Sequence, residues 1–208
     1  MDFEHPFAVV TPTLDGDVLA VLAGADEEFS GRRLHGMMAR GSENGVRNAA
    51  ERLVGQGVVL RREAGKAKLY RLNREHVAAA GIELLAAVRS ELIARLRGAI
   101  ARWKVAPLSV VLFGSAARSE AGPESDLDLL VIRCASVDEE LPEWCEQLAS
   151  LGREATTWAG NDARVIELSE VDVGASIPLL DEAAGDGIDL FGSLRDLRDA
   201  ALRGGRWS

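Results

Sequence analysis

Histidine and cysteine are scarce in this chain of 208 residues, which has three of the first and two of the second. His5, His35 and His76 have no partner at ligand spacing, which argues against a histidine metal site. Cys134 and Cys145 form neither a metal-type spacing nor the framework of a disulfide-stapled fold, so both are expected as reduced, packed thiols. Long apolar runs are missing too. Nothing approaches the roughly 18–20 uninterrupted apolar residues of a membrane span, and the opening MDFEHPFAVV lacks the basic and apolar regions of a secretory signal. The expectation is a cytoplasmic protein with no membrane partner. With 47% hydrophobic and 27% charged residues, the chain can bury a core and divide into one or two domains.

What is present is unevenly charged. Residues 31–75 carry 11 Lys+Arg against 4 Asp+Glu, whereas residues 105–208 carry 8 against 20. A basic N-terminal part joined to an acidic C-terminal part suggests a polyanion-binding module attached to something that works on cations, metals or small substrates.

In the N-terminal part, Leu14, Val18, Leu19, Val21 and Leu22 form one helical stripe, ended by Gly24. Ser30 is a natural N-cap for a second helix. Phe29 and Leu34 are spaced as a hydrophobic staple, and Leu34, Met37 and Met38 give a buried face before Gly41. A third helix starts at Ser42 and buries Val46, Ala49, Ala50, Leu53 and Val54, leaving Asn44, Arg47, Asn48 and Glu51 pointing away from the core. The stretch GVVLRREAGKAKLYRLN then reads as a β-hairpin around Glu63, Ala64, Gly65 and Lys66. This order resembles the winged helix-turn-helix family of DNA-binding domains over about residues 10–75. The resemblance implies duplex DNA as partner of residues 31–75, with Asn44, Arg47 and Asn48 reading bases and Arg61, Arg62, Lys66 and Lys68 meeting phosphates. A winged helix that binds protein instead, its basic residues merely solvated, is the alternative.

From His76 to Trp103 the chain is Ala-rich, with Leu85, Val88, Leu92, Leu96, Ile100 and Trp103 at three- or four-residue spacing. One long helix is expected, loosened at Gly81. Its stripe suits a dimerising coiled coil, hence a homodimer, or packing of residues 88–103 on the following sheet.

Residues 110–132, VVLFGSAARSEAGPESDLDLLVI, carry the chemistry. Leu108–Phe113 reads as a buried strand that Gly114-Ser115 ends, and SAAR can open a helix there. Backbone N–H groups at a helix start beside a glycine make an anion site. Ser115 adds a hydroxyl and Arg118 a guanidinium. After the loop SEAGPES, the strand DLDLLVI puts Asp126 and Asp128 on one face because strand side chains alternate. Two adjacent carboxylates repel each other, and a divalent cation relieves the repulsion; Mg²⁺ is typically held by one or two carboxylates plus substrate phosphates.

Gly114-Ser115, Arg118, Ser125, Asp126 and Asp128 together resemble the nucleotidyltransferase superfamily that includes DNA polymerase beta, most closely its small stand-alone members, over about residues 88–203. The resemblance implies that Gly114, Ser115, Arg118 and Ser125 hold the triphosphate of an NTP. Asp126 and Asp128 would be the catalytic, metal-binding acids, with Mg²⁺ or Mn²⁺ as cofactor. Such enzymes usually carry a third carboxylate on a later strand. Here ARVIELS is that strand, and its best register puts Arg164 at the acid's place. Glu167 is the nearest acid on it, on the opposite face unless a bulge intervenes, and Asp162 precedes it.

The expected fold is α/β (α+β), a winged helix at 1–75, a connecting helix at 76–103 and a nucleotidyltransferase-type mixed sheet with flanking helices at 104–208. The expected activity is Mg-dependent transfer of NMP from NTP to an acceptor that the sequence does not name. A DNA-binding transcriptional regulator that binds nucleotide without turnover is the alternative.

Overall fold

The computed structural model describes residues 1–118, 122 and 124–203. It is a mixed α+β structure with two sheets, and the chain divides into two compact units. One comprises Asp2 and Glu4–Arg89; the other comprises Met1, Phe3 and the residues from Ser90 on.

The first unit contains α1 (Leu14–Ala23), β1 (Phe29–Ser30), α2 (Gly31–Gly36), α3 (Glu43–Gly55), β2 (Val59–Ala64), β3 (Ala67–Leu72) and α4 (Ala79–Ala86). Its sheet is antiparallel with order β1-β3-β2. The expected caps are in place. The Ser30 hydroxyl accepts from the Arg33 amide at 3.2 Å and the Ser42 hydroxyl from the Gly45 amide at 3.1 Å, satisfying donors that a helix start leaves open. The hairpin turns on Gly65 and Lys66, with Gly65 at φ 62° in the left-handed region that a two-residue hairpin loop demands. Val18, Leu22, Phe29, Leu34, Val46, Ala49, Ala50, Leu53 and Tyr70 form the core, with Ile82 of α4 packed among them. Helix α2 is shorter than its sequence suggested: it ends at Gly36, and Met37 is exposed. Leu34 is its only fully buried residue, too little apolar surface to hold the further turn of about four residues in place.

The single helix expected over 76–103 is two. Helix α4 stops at Ala86 and α5 (Val88–Ile100) begins after Ala87, not at Gly81. No glycine or proline marks the break. Ile82, Leu85 and Ala86 pack in the first unit's core, while Leu92, Leu96 and Ile100 pack in the second's, so a continuous stripe in sequence serves two separate cores.

The second unit continues with β4 (Ser109–Phe113), β5 (Leu127–Arg133), α6 (Pro142–Ala159), β6 (Ala163–Ser169), α7 (Pro178–Asp186), β7 (Ile188–Phe191) and α8 (Leu194–Leu202). The sheet order is β6-β5-β4-β7, with β5 and β6 parallel and the other pairs antiparallel. A sheet covered on both faces needs strands that are apolar throughout, and every residue of β4 is buried. Leu127, Leu129 and Val131 pack with Leu92, Leu96, Ile100, Trp144 and Leu151. Leu130 and Ile132, on the other face, pack with Leu180, Leu194 and Leu197. The alternation along β5 thus assigns Asp128 to the α7–α8 face. Of the loop expected before β5, residues 119–121 and 123 lie outside the described residues, as do 204–208. Cys134 is half-buried and Cys145 exposed, both as free thiols; neither is packed in the core, because Cys134 lies just past the end of β5 and Cys145 on the outer side of α6. No helix among the described residues is long and apolar enough to cross a membrane.

Candidate active site

At the mouth of β4 the chain turns on Gly114, whose φ of 72° is open to glycine and strained for other residues. The antiparallel register sets Phe113 opposite Asp128. A Cβ added to Gly114 would stand 3.1 Å from the Asp128 carboxylate oxygen Oδ2, so an added side chain would press the acid back by a few tenths of an ångström. The expected helix start is smaller than the sequence suggested. Gly114–Ala116 is a single 3₁₀ turn, and the Arg118 amide donates back to the Gly114 carbonyl at 3.3 Å. A turn this short lacks the aligned peptide dipoles of a longer helix, so anion binding would rest on individual groups. Ser115 is half-buried, and its hydroxyl has no protein partner among the described residues.

Asp126 and Asp128 lie at the start of β5, and parallel pairing puts Arg164 of β6 opposite Asp128. The Arg164 guanidinium reaches Asp126 at 2.7 Å. Burial pushes the Asp128 carboxyl up; Arg164 pulls it down, while Asp126 and Glu182 add to the upward push. Glu182, on α7, also accepts from Arg118 at 3.1 Å, a connection with no signature in local sequence. The paired carboxylate oxygens of Asp126 and Asp128 suit a hard divalent cation. One such ion fits their chemistry: it would relieve the repulsion that burial sharpens at Asp128. Among the described residues, no three His, Cys, Asp or Glu side chains gather as a metal site.

The structure does not bring Glu167 to this place. Val131 is its register partner, it shares the α5–α6 face, and its carboxylate accepts from Arg133 Nε at 2.5 Å. Arg133 is buried, and a buried guanidinium needs that counter-charge. No bulge interrupts the β5–β6 pairing to turn Glu167 over. Asp162 is exposed, and its backbone carbonyl accepts from the Leu127 amide at 2.8 Å. The Ser125 hydroxyl accepts from the Gly122 amide at 3.0 Å, a bond that leaves its own O–H able to donate. Asn161, 2% exposed, donates to the carbonyls of Gly122 and Ser125 at 3.0 and 2.8 Å. This amide anchors the segment entering Asp126 and was missed in the sequence, where only the Gly160-Asn161 pair ending α6 hinted at it.

On the first unit, Asn44, Arg47 and Asn48 are exposed along α3, with Arg47 donating to Asn44 at 2.6 Å. The expected phosphate contacts fare unevenly. Arg61 and Lys68 both donate to Glu51, at 2.9 and 2.8 Å, and Arg62 is paired with Glu28. Further pairs join Arg33 to Glu27, Arg40 to Asp17 and Arg52 to Asp15. Residues 1–75 hold 11 Lys+Arg and 11 Asp+Glu; the acids of the first 28 residues offset the basic stretch that follows. The side chains of Lys66 and Arg32 have no ion pair or hydrogen bond among the described residues. Both line a cleft of about 400 Å³ with Arg47, Lys68 and Tyr70.

Residues 93–173 match the family model described as nucleotidyltransferase domain. The match spans about two fifths of the chain, and the mixed α+β fold with its two sheets is consistent with a nucleotidyltransferase-type fold. No curated protein matches the sequence. Among solved structures, a toxin–antitoxin complex with AMP-PNP is similar at 17% identity, over 54% of this chain and 81% of that one, with a TM-score of 0.36. A variant of the MntA–HpeT toxin–antitoxin pair is similar at 19% identity, over 55% and 82%, with a TM-score of 0.37. The tri-AMPylated Shewanella oneidensis HEPN toxin in complex with MNT antitoxin is similar at 15% identity, over 56% and 85%, with a TM-score of 0.37. Likenesses this distant fix neither activity nor partner.

Proposed function

We propose that the protein transfers a nucleoside monophosphate from a metal-bound NTP to an acceptor, at the mouth of β4 and β5. The observation that carries this reading is the side-chain-free approach of Gly114 to Asp128, within the segment that matches the nucleotidyltransferase domain model. The Gly114 backbone and the Ser115 hydroxyl would receive the triphosphate. Arg118 would offset its charge once drawn from Glu182. Asp126 and Asp128 would hold Mg²⁺ or Mn²⁺ as oxygen ligands, and Ser125 with Asn161 would fix the segment that places them. An ion held there supplies Lewis-acid stabilisation of the charge on the α-phosphoryl and leaving oxygens. In the transfer, an acceptor oxygen would attack the α-phosphorus in line, its bond forming as the bond to the β-phosphate oxygen breaks; pyrophosphate leaves, and the proton of a hydroxyl acceptor passes to solvent.

The first unit would act as a winged helix on duplex DNA in the cytoplasm. Asn44, Arg47 and Asn48 would face bases; Arg32 and Lys66 would be its readiest phosphate contacts, ahead of the ion-paired Arg61, Arg62 and Lys68. The domain division would follow, with 1–75 for the winged helix and 104–208 for transfer. The second reading, a DNA-binding regulator that holds nucleotide without turnover, is favoured by one observation: Arg164 stands opposite Asp128 where a further acid would assist catalysis.

Release of pyrophosphate from each of the four NTPs with Mg²⁺ or Mn²⁺ tests the choice. Transfer predicts release by the parent and a loss of at least 100-fold in Asp126→Asn/Asp128→Asn. Nucleotide binding without any release favours the regulator.

A further inference from the structure

Arg164 is a cation that the fold delivers directly to the aspartate pair. Strand register puts it there. Because β5 and β6 are parallel, its side chain emerges on the same face as Asp128, and it reaches back one step to Asp126 at 2.7 Å. It is 69% exposed, against 31% for Asp126, so packing does not force it into that place; the pairing is electrostatic. Its charge is felt at Asp128 as well. Catalysis by two divalent ions places them roughly 3.5–4 Å apart. An arginine on Asp126 occupies one of the few oxygens that could bridge such a pair, and it repels a second dication at that distance.

We propose, building on the metal reading above, that Arg164 is a resident cation of the site, standing where a second ion would sit, so that Asp126 and Asp128 take one divalent ion per chain. Two carboxylates, one guanidinium and one divalent ion leave a single net positive charge facing the triphosphate. Arg164 is a positioning residue here: it holds Asp126 and limits the metal count.

Titration of the full chain with Mn²⁺ alone, followed by the loss of the free-ion paramagnetic resonance signal, tests this without any turnover. The parent is expected to bind one Mn²⁺ per chain. Arg164→Gln should bind Mn²⁺ about 3–10-fold tighter, as one unit charge a few ångströms away in a solvated setting implies. Arg164→Lys should stay close to the parent, and Arg164→Asp should bind two ions. Asp128→Asn added to Arg164→Gln must abolish the binding, which locates the ion at the pair. Equal affinity in the parent and Arg164→Gln, or two ions in the parent, overturns the role of Arg164 while leaving the metal site standing. No Mn²⁺ binding by the parent, Arg164→Gln or Arg164→Asp overturns the metal reading and this inference with it.

Discussion

The two units handle charge in opposite ways. In the first, most arginines are matched by an acid from a different element: Asp15 with Arg52, Asp17 with Arg40, Glu28 with Arg62, and Glu51 with both Arg61 and Lys68. In the second, acids outnumber bases and crowd at a strand mouth, where Asp126, Asp128 and Glu182 share Arg164 and Arg118. A window of sequence with seven excess positive charges therefore does not make a basic surface, because the offsetting acids lie just upstream and fold back onto it. The acidic window keeps its excess through folding. Charge counted along a chain describes a site only after its pairing is known.

The largest effect that would sharpen this contrast is expected at Gly114. Alanine there meets a left-handed backbone, at a cost of about 1–2 kcal/mol, and places a carbon against the Asp128 carboxylate. NTP affinity measured by calorimetry should fall at least tenfold, equivalent to about 1.4 kcal/mol, while circular dichroism keeps the parent's shape. Unchanged affinity would mean that the crowded acids of the second unit are not its nucleotide site.

A middle-sized effect belongs to the first unit's ion-pair hub. The Tyr70 hydroxyl is pushed up to about 12, by burial first and then by its hydrogen bond to Glu51. An unfolded tyrosine ionises near 10. The folded state holds the proton more tightly, so this contribution to stability is complete below about pH 10 and is lost as pH rises from 10 through 12. Urea midpoints at pH 9 and pH 11.5 should differ more in the parent than in Tyr70→Phe. Equal differences would show that Glu51 leaves the hydroxyl on loosening, and that the hub is not held as described.

The smallest effect separates paired from unpaired cations. If the first unit binds duplex DNA, Lys66→Ala should reduce the slope of log affinity against log salt by about 1. Arg62→Ala should change it little, because Glu28 already neutralises that guanidinium. Equal reductions would show that these ion pairs open on the duplex, which would erase the distinction between the two kinds of cation.

Much of this was legible in the chain because it rests on local rules. The caps at Ser30 and Ser42, the Gly65 turn and the alternation that unites Asp126 with Asp128 each need only a few neighbouring residues. The placement of Arg164 was legible as well, since one register choice fixes a whole strand. What escaped depends on residues far apart in sequence. Glu182 meets Arg118 from 64 positions away, and Asn161 reaches Gly122 across 39. The break at Ala87 escaped for another reason: alanine is a good helix former, and the division between two cores overrode that preference.

The sheet order has a consequence for the chain as it is made. Strand β4 lies between β5, which follows within 20 residues, and β7, whose pairing with it joins Val110 to Phe191. Until Ile188–Phe191 have left the ribosome, one whole side of β4 has no strand to bond with, and an apolar strand with open amides is a template for strands of other molecules. The first unit has no such wait, because its hairpin closes between Ala64 and Ala67. Early termination would thus leave a finished N-terminal unit tethered to an adhesive edge, and only the arrival of Ile188–Phe191 closes it.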